Sequence, residues 1–423
     1  MLLQFSVKNF MSFKEEIIFT TLANKDNSLA ETNLVPFKRK KYSKISVMYG
    51  ANASGKSNFC KALNFIKFFF INSNNLLESS AIMVDNFRFD EKTASAPSEF
   101  GIIFVKSGIK YAYSFSCNRT EVLSERLDIY ENDKPSLVFD RNNGKYRFTA
   151  YGPILSPLAE RNTKNKLFVC TAATWNFEKA KPVVDYVVND LLISFYYNYD
   201  ISIILTSFKK EGIFEEYKKF CLSLLSACDF SISDFDMEIK EDTIPPEIKM
   251  FITALSNNLP NAVPPDKLKT VKFTTLHRIY NGNIKKDYPL EMESESLGTQ
   301  AIFNFAPLLF DVFKNGKTLV IDEIDKSLHP LLVNYIVSLF VNRDINKNNA
   351  QLICNTHDTN LLSLNLFRRD EIWFAERNPD TGASELYPLT DFSPTKKDNI
   401  EKGYLIGRYG AIPFIKDACN LWE

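Results

Sequence analysis

Gly50-Ala-Asn-Ala-Ser-Gly-Lys-Ser57 decides the fold, because its pattern G-x-x-x-x-G-K-S is that of a phosphate-binding loop. Glycines at both ends let the backbone turn tightly, so that successive N–H groups point inward at an anion. A lysine here places positive charge on the β- and γ-phosphates of a nucleotide, and the following serine hydroxyl is a ligand for Mg²⁺. We therefore predict a nucleotide site formed by Gly50, Asn52, Ser54, Gly55, Lys56, Ser57 and Asn58, with Ser57 also on the metal.

The residues on either side of the loop have the order that such a site requires. Ile45-Ser-Val-Met-Tyr49 is an apolar run of strand type, and Ser57 to Ile71 carries apolar residues at helical spacing. Strand, loop and helix in this order place the positive end of a helix dipole at the anion site. A structural glycine loop is the alternative, and the flanking context argues against it.

Charge and composition indicate a globular protein with no strong global field. The 423 residues include 51 basic and 51 acidic side chains, and 45% are hydrophobic. This balance excludes attraction to nucleic acid or anionic membranes through net charge alone. A local basic run, Lys38-Arg-Lys-Lys41 with Lys44, is typical of a solvated loop, and nucleic-acid contact is the alternative.

Cysteine usage and hydropathy predict a cytoplasmic protein without a membrane partner. The seven cysteines are scattered and include no C-x-x-C pair, which favours reduced thiols. The first residues become polar too soon for a signal peptide. The most apolar region, Leu191 to Phe208, is interrupted by Asn198 and Asp200 and is better explained as a buried element than as a membrane span.

The pattern along the chain predicts an α/β fold in three parts. Short β-type runs separated by turn signals follow one another from Glu99 to Arg147 and indicate an antiparallel meander. Ala180 to Leu255 has a longer period and is predicted to be mostly helical. We expect an N-terminal lobe over 1–175, a helical insertion over 176–270 and a C-terminal lobe over 271–423.

A second polar cluster follows an apolar strand in the last third of the chain. Lys317-Thr-Leu-Val-Ile-Asp-Glu323 describes a buried parallel strand whose carboxyl end meets a ligand. Asp322 would hold Mg²⁺, directly or through water, and Glu323 would act as general base on the attacking water. Paired carboxylates also occur at ordinary strand ends, and the phosphate-binding loop favours the functional interpretation.

A further strand, Gln351-Leu-Ile-Cys-Asn-Thr-His357, ends in one of only three histidines. Its position at a strand end favours a residue that senses the γ-phosphate, although lone histidines are more often structural. Ser296 and Gly298, just before the apolar helix Ala301 to Phe313, would offer a hydroxyl and free N–H groups as a second anion site. A simple N-cap is the alternative for this pair.

Together these pieces resemble the ABC-type ATPases, in particular the SMC/RecF/OLD-like branch and its small AAA-type members of bacterial antiphage defence operons, the type associated with RloB. The last third carries the resemblance to the defence ATPases. The motifs that carry the resemblance are Phe5-Ser-Val-Lys-Asn-Phe10 with Ser12-Phe13, Gly50 to Ser57, Ser296-x-Gly298, Val320 to Glu323, Ser327-Leu-His-Pro330, Thr356-His-Asp358 and Gly403 to Pro413.

The resemblance implies an ABC-type ATPase head that binds ATP and Mg²⁺ and works as a homodimer or higher oligomer. In that family, the phosphate-binding loop of one protomer and the signature helix of the other close on each ATP. Asp325 and Ser327 would then lie at the dimer interface. The chain departs from the family in having no glutamine between the phosphate-binding loop and the signature, and in having Leu297 where a second glycine is common.

The resemblance also implies a role, which we state as an expectation. The chain would be a sensor or regulatory subunit in antiphage defence that controls a separately encoded effector, such as a Toprim-containing RloB-like nuclease. The segment after His357 is shorter than the roughly 100 residues of an ordinary catalytic domain, so the chain is not expected to be the nuclease itself. The alternative is a RecF/SMC-like DNA-binding ATPase of repair or chromosome maintenance.

Overall fold

The computed structural model describes residues 1–195, 201–228, 230–243, 267–281, 284–395 and 398–413. These residues form two compact units, one comprising Met1–Asn198 and Asp311–Glu423 and the other comprising Tyr199–Phe310. The strands are β1 (Leu2–Lys8), β2 (Ile17–Thr20), β3 (Leu34–Phe37), β4 (Lys40–Ser43), β5 (Ile45–Tyr49), β6 (Ser98–Lys106), β7 (Ile109–Cys117), β8 (Val122–Tyr130), β9 (Ser136–Asn142), β10 (Lys145–Phe148), β11 (Leu191–Phe195), β12 (Ile232–Thr243), β13 (Lys267–Asn281), β14 (Ile284–Glu291), β15 (Thr318–Asp322), β16 (Gln351–Asn355), β17 (Ile372–Arg377) and β18 (Ser384–Pro388).

The helices differ widely in length, and short 3₁₀ or π turns lie between some of them. They are α1 (Ala30–Asn33), α2 (Lys56–Asn72), α3 (Glu91–Ser95), α4 (Gly152–Ala159), α5 (Phe168–Thr174), α6 (Lys181–Asp185), α7 (Ile201–Lys210), α8 (Phe214–Ala227), α9 (Leu297–Asn315), α10 (Pro330–Val341) and α11 (Ile400–Leu405).

The first unit is built around a six-stranded sheet in the order β11-β15-β16-β5-β17-β18. All neighbouring pairs are parallel except β17 and β18, which are antiparallel. All five residues of β5 are buried, as expected for a central strand covered on both faces. The carboxyl ends of β5, β15 and β16 therefore meet at one edge of the sheet, where the phosphate-binding loop begins.

A seven-stranded antiparallel sheet in the order β10-β9-β8-β7-β6-β1-β2 forms the second layer of this unit. Helix α2 joins the two sheets, because it contacts β11 and β15 and also packs its phenyl rings on the antiparallel sheet. The ring of Phe59 lies 5.3 Å from that of Phe5 and 5.2 Å from that of Phe19. Burial of each such ring contributes about 1.5–3 kcal/mol, so α2 is held firmly behind the loop.

The structure confirms the predicted α/β fold class, with a mostly parallel core sheet and an antiparallel meander. The insertion predicted to be helical over 176–270 requires correction. Its first part includes β11, which pairs in parallel with β15 in the core sheet. Tertiary pairing of this kind cannot be recognised from a short apolar run alone.

The second unit, Tyr199–Phe310, contains α7 and α8 followed by an antiparallel sheet in the order β12-β13-β14. Strand residues 232–243 therefore replace part of the predicted helix, and the predicted boundaries at 176 and 270 differ from those of this unit. The alternation of Phe235 and Met237 with acidic residues is the period-two signal that indicates a strand. Residues 244–266 of the predicted insertion lie outside the described residues.

The helices and cysteines have two further properties. Among the described residues, no helix combines the length and hydropathy needed to cross a bilayer. The described cysteines are buried and unpaired, namely Cys60, Cys117, Cys170, Cys221, Cys228 and Cys354. Burial raises the pKa of the Cys228 thiol to about 11, which keeps it protonated and unreactive near neutral pH. Cys419 lies outside the described residues.

Candidate functional site

The phosphate-binding loop connects β5 to α2 and has the backbone conformation of an anion-binding nest. Ala53 has a φ of 61° and Gly55 a φ of 114°, so the backbone enters the left-handed region twice within the loop. A Cβ atom at Gly50 would lie 2.3 Å from the carbonyl oxygen of Ala375, and one at Gly55 would lie 2.6 Å from Ser384 Oγ. Close packing therefore requires a glycine at both positions, and at Gly55 the positive φ requires it as well.

Lys56 is buried at the start of α2 and folds back over the loop. Its Nζ donates to the carbonyl oxygens of Gly50 at 2.7 Å and Ala51 at 3.0 Å. Burial lowers the pKa of Lys56 to about 8, while the carboxylates of Asp322 and Glu323 act in the opposite direction. The Ser54 hydroxyl is buried and has no hydrogen-bond partner among the described residues. The ammonium group of Lys56 and the unpaired hydroxyl of Ser54 are both suited to bind a phosphate held by this loop.

Asn355, at the end of β16, fixes the position of both carboxylate residues. Its Nδ2 donates to Asp322 Oδ1 at 2.6 Å, and its Oδ1 accepts from the backbone N–H of Glu323 at 2.7 Å. Nδ2 also lies 3.7 Å from Cys60 Sγ on α2, so one buried amide joins β15, β16 and α2. We did not predict this role, although the polar residue at the end of an apolar strand was the available signal.

Glu323 directly follows β15 and has a φ of 55°. A non-glycine residue in the left-handed region costs about 1–3 kcal/mol, which surrounding contacts must offset. Here the backbone N–H is held by Asn355, and the half-exposed side chain borders the cavity above the phosphate-binding loop. The turn thus directs a carboxylate of the acidic pair toward the place where a nucleotide would bind.

His357 borders the same cavity from the loop after β16. Its backbone N–H donates to Asp325 Oδ2 at 3.2 Å. Burial lowers the pKa of the imidazole, and the nearby charge of Lys56 lowers it further. The ring is therefore neutral near pH 7, and a neutral imidazole can donate one N–H to a phosphate oxygen.

One cavity of about 690 Å³ brings most of the predicted site together. Its lining includes Asn52, Ser54, Gly55, Lys56, Ser57, Asn58, Glu323 and His357. Gly50 and Asp322 are not part of that lining. Gly50 supports the loop through its carbonyl, and Asp322 turns one carboxylate oxygen toward Asn355. Of the predicted residues, those of the phosphate-binding loop from Asn52 to Asn58, Glu323 and His357 therefore border one cavity, and Asn355 links Asp322 to Glu323.

The cavity also has residues that our sequence reasoning did not assign to nucleotide binding. Ser12 Oγ accepts from Asn58 Nδ2 at 2.8 Å, and the Ser12 carbonyl accepts from the N–H of Ser384 at 2.7 Å. Phe89, 68% exposed, presents its ring at the rim, and the guanidinium of Arg377 lies 5.5 Å from the ring centroid. Ser12 lies in a stretch that carried the family resemblance, whereas Phe89 and Arg377 belong to no motif.

Ser296 and Gly298 belong to the second unit, at the start of α9. Ser296 Oγ accepts from the backbone N–H of Thr299 at 3.1 Å, which is the geometry of an N-cap. The side chain of Ser296 is exposed. The structure therefore shows the capping role that we considered as the alternative, while the binding of a second anion stays a prediction.

A phosphate-binding loop, an acidic strand end and a strand-end histidine on one mostly parallel sheet define an ATPase of the AAA and ABC type. The chain belongs to the AAA_21 family, described as "AAA domain, putative AbiEii toxin, Type IV TA system". The family model matches residues 45–168 and 238–363, together more than half of the chain. No curated protein sequence matches it.

Solved structures similar to this chain include heads of SMC proteins. The SMC head domain from Thermotoga maritima is 12% identical, with a TM-score of 0.40 over 92% of this chain and 98% of that one. The SmcHead bound to the C-winged helix domain of ScpA is 14% identical, with a TM-score of 0.39 over 92% and 97%. A third head, bound to the C-terminal domain of ScpA derived from Pyrococcus furiosus, is 11% identical, with a TM-score of 0.37 over 96% and 98%.

Proposed function

We propose that this chain is a Mg²⁺-dependent ATPase that acts as a sensor or regulatory subunit of a bacterial antiphage defence system and controls a separately encoded effector. One observation carries the catalytic part of the proposal. Lys56, Glu323 and His357 border a single cavity together with the nest of the phosphate-binding loop. This combination provides a phosphate site, a general base and a neutral hydrogen-bond donor in one place.

The chain's own residues would divide the work of hydrolysis among them. The loop N–H groups and Lys56 bind and orient the phosphates of ATP. Glu323 accepts a proton from the attacking water, and His357 donates to an oxygen of the γ-phosphate. Ser57 and Asp322 would hold Mg²⁺, which neutralises charge on the phosphates when bound. Asn355 keeps Asp322 and Glu323 in place.

The base assignment is tested by Glu323→Gln, which retains size but cannot accept the proton. We expect turnover to fall by about 10²-fold or more, with ATP affinity within about threefold of wild type. Steady-state phosphate release and equilibrium binding of a fluorescent ATP analogue would measure the two effects. Glu160→Gln, the same change at an exposed glutamate, is the matched control. Turnover equal to that of the control would show that Glu323 is not the base.

The defence role is supported by the family description, which names a toxin and a Type IV system, and by the resemblance of the last third of the chain to defence ATPases. An effector encoded beside this ATPase, such as a Toprim-containing RloB-like nuclease, should copurify with the chain from cells. Its activity should respond to ATP in the presence of wild-type protein and not in the presence of Glu323→Gln. The proposed complex is cytoplasmic.

A second candidate function is a RecF/SMC-like ATPase that binds duplex DNA in repair or chromosome maintenance. The observation that favours it is the exposed basic hairpin at Lys38–Lys41. Stimulation of ATP hydrolysis by duplex DNA, with steep loss at rising salt, would support this function over the first.

A further inference from the structure

A second concave site lies at the hairpin of β3 and β4, on the same unit as the phosphate-binding loop. Phe37 pairs with Lys40 across the hairpin, so Lys38 and Arg39 form its tip. Lys38 has a φ of 54°, which turns the chain sharply and exposes three successive cations. We call the hollow between this tip and the antiparallel sheet the basic cleft.

The opposite wall of the basic cleft comes from β7 and β8. Lys110 and Tyr130 are direct partners across these strands, and Lys110 Nζ lies 4.1 Å from the centroid of the Tyr130 ring. Lys38 Nζ reaches across from the hairpin and donates to the carbonyl oxygen of Tyr130 at 3.3 Å. The two walls are therefore connected, and the cleft is a formed feature with a volume of about 250 Å³.

Charge in the basic cleft is poorly balanced. Asp133 is the one carboxylate among the described residues that line it, and it pairs with Lys38 at 2.8 Å. Among the described residues, Arg39, Lys40 and Lys110 have no carboxylate within ion-pair distance. The pKa of Lys110 is lowered by burial and then by the neighbouring charges of Lys40 and Lys38. An anion in the cleft would relieve this repulsion.

Aromatic rings line the same space as the cations. Phe37 and Tyr130 are half-buried, with part of each side chain facing the cleft, and Tyr42 lies deeper. Cations interleaved with aromatic rings bind unpaired nucleotides, because the cations attract phosphate and each ring can stack on a base. The volume of about 250 Å³ accommodates one such unit, whereas a duplex could contact the exposed hairpin tip but could not enter the cleft.

We propose that the basic cleft binds one nucleotide unit, with its phosphate on Arg39, Lys40 and Lys110 and its base against Phe37 or Tyr130. The unit would come from a single-stranded nucleic acid or from a free nucleoside monophosphate, which share this chemistry. None of these residues lines the cavity above the phosphate-binding loop. The site is therefore separate from the proposed ATP site and would let the ATPase recognise a second ligand.

The test measures binding of a fluorescein-labelled oligothymidylate by anisotropy and of adenosine monophosphate by calorimetry. The protein is the full chain carrying Lys56→Ala, which disables the proposed ATP site. The double substitution Lys40→Glu/Lys110→Glu should reduce the affinity for at least one of the two ligands by about tenfold or more. It should also reduce the salt dependence of oligonucleotide binding, by about one unit of slope. Lys145→Glu, at an exposed lysine of β10 outside the cleft, should change affinity by less than about twofold.

Asp133→Asn should have the opposite effect, because it removes a carboxylate of the cleft lining whose negative charge opposes that of a bound phosphate. We expect tighter binding by about threefold, which misfolding cannot mimic. If Lys40→Glu/Lys110→Glu loses only oligonucleotide binding, the natural ligand is a single-stranded nucleic acid. If it loses only adenosine monophosphate binding, the natural ligand is a free nucleotide. Three outcomes would overturn the proposal. Lys145→Glu could reduce the affinities as much as the double substitution does, a duplex could bind as tightly as a single strand, or neither ligand could bind.

Discussion

Phe89 and Arg377 mark the rim of the nucleotide cavity with an unusual pair of side chains. Phe89 is 68% exposed, so a ligand that covered its ring would remove apolar surface from water. Arg377 covers one side of the ring and is itself held by a hydrogen bond from Nε to the Gly382 carbonyl at 3.2 Å. This arrangement leaves the ring available for the base of a nucleotide whose phosphates are in the loop.

Replacement of Phe89 tests this assignment. Phe89→Ala should raise KM for ATP about tenfold with kcat nearly unchanged, because base stacking contributes about 1–3 kcal/mol to binding of ground state and transition state alike. Phe89→Tyr should retain wild-type KM. Phe68→Ala removes another exposed phenyl ring, on α2 outside the cavity lining, and should leave KM unaffected. An unchanged KM for Phe89→Ala would remove the ring from the nucleotide site.

At this scale, the sequence predicted the residues whose chemistry is tied to a short local pattern. Four of them begin or follow an element that the sequence pattern predicts, so their position in the pattern was enough to select them: Lys56, Ser57, Glu323 and His357. Phe89 and Arg377 belong to no local pattern, and the strand-end position of Asn355 does not by itself reveal its contacts with other segments. Their roles could be recognised only once the sheet order brought the segments together.

At the scale of elements, a buried carboxyl group anchors β17 beside the central strand. Glu371 Oε2 accepts from Asn33 Nδ2 at 2.8 Å and from the backbone N–H of Arg368 at 2.8 Å. The Glu371 carbonyl accepts from the N–H of Val47 on β5. This residue therefore connects α1, the turn before β17 and β5. Complete burial raises its pKa to about 8.

This raised pKa predicts a pH-dependent stability. Between the ordinary value of 4.5 and about 8, the folded chain holds one more proton at Glu371 than the unfolded chain does. Stability contributed by this group should therefore fall as pH rises through that window, by at most about 1.4 kcal/mol per pH unit. Glu371→Gln, which keeps an acceptor oxygen but cannot ionise, should remove this component of the slope.

Urea unfolding at about pH 6 and about pH 8 would measure the difference. Glu385→Gln, at an exposed glutamate of β18, should show the wild-type slope. Identical pH dependence in wild type and Glu371→Gln would show that the carboxyl group is not held protonated in the folded protein.

The elements themselves were predicted well where their pattern was long or bounded by turns. β5, α2, β15 and the meander from β6 to β10 follow from apolar periodicity and turn residues. β11 was missed because a short apolar strand at a sheet edge has the same local pattern as a buried helix. β12 was missed because charged residues alternate with a few apolar ones, and the alternation was outweighed by a longer helical period around it.

At the scale of the whole molecule, we predict that the proposed ATPase works as two copies of the chain. The resemblance implies that Ser296 and Gly298 of one copy complete the nucleotide site of another. Among the described residues, a Cβ atom at Gly298 would meet only Ser296 Oγ, at 3.8 Å, so this part of the chain leaves room for a side chain there. A substitution at this position can therefore disturb an interface without disturbing the fold.

Gly298→Asp should abolish ATP turnover, because its carboxylate would repel the γ-phosphate at the interface. In the Glu323→Gln background, ATP should double the mass measured by light scattering, and adding Gly298→Asp should prevent the doubling. Gly152→Asp, at an equally open glycine that begins α4, is the matched control and should leave both properties intact.

Mixing two inactive variants gives the sharpest test of a shared site. Lys56→Ala lacks a working phosphate-binding loop, and Gly298→Asp lacks a working partner surface. A mixed dimer contains one site with both halves intact, so the mixture should recover turnover that neither variant shows alone. Failure to recover activity, with both proteins folded, would contradict an ATP site formed between two copies.

The order of strands in the core sheet also determines when this sheet can form during translation. β5, which leads into the phosphate-binding loop, pairs with β16 and β17, and its partners in β16 lie about 300 positions further along the chain. At roughly 5–20 residues per second, a ribosome needs about 15–60 s to deliver them. During that interval the loop has no sheet to support it, and both edges of β5 are open to other nascent chains. We therefore expect the nascent first half of this protein to depend on a chaperone until β16 has been synthesised.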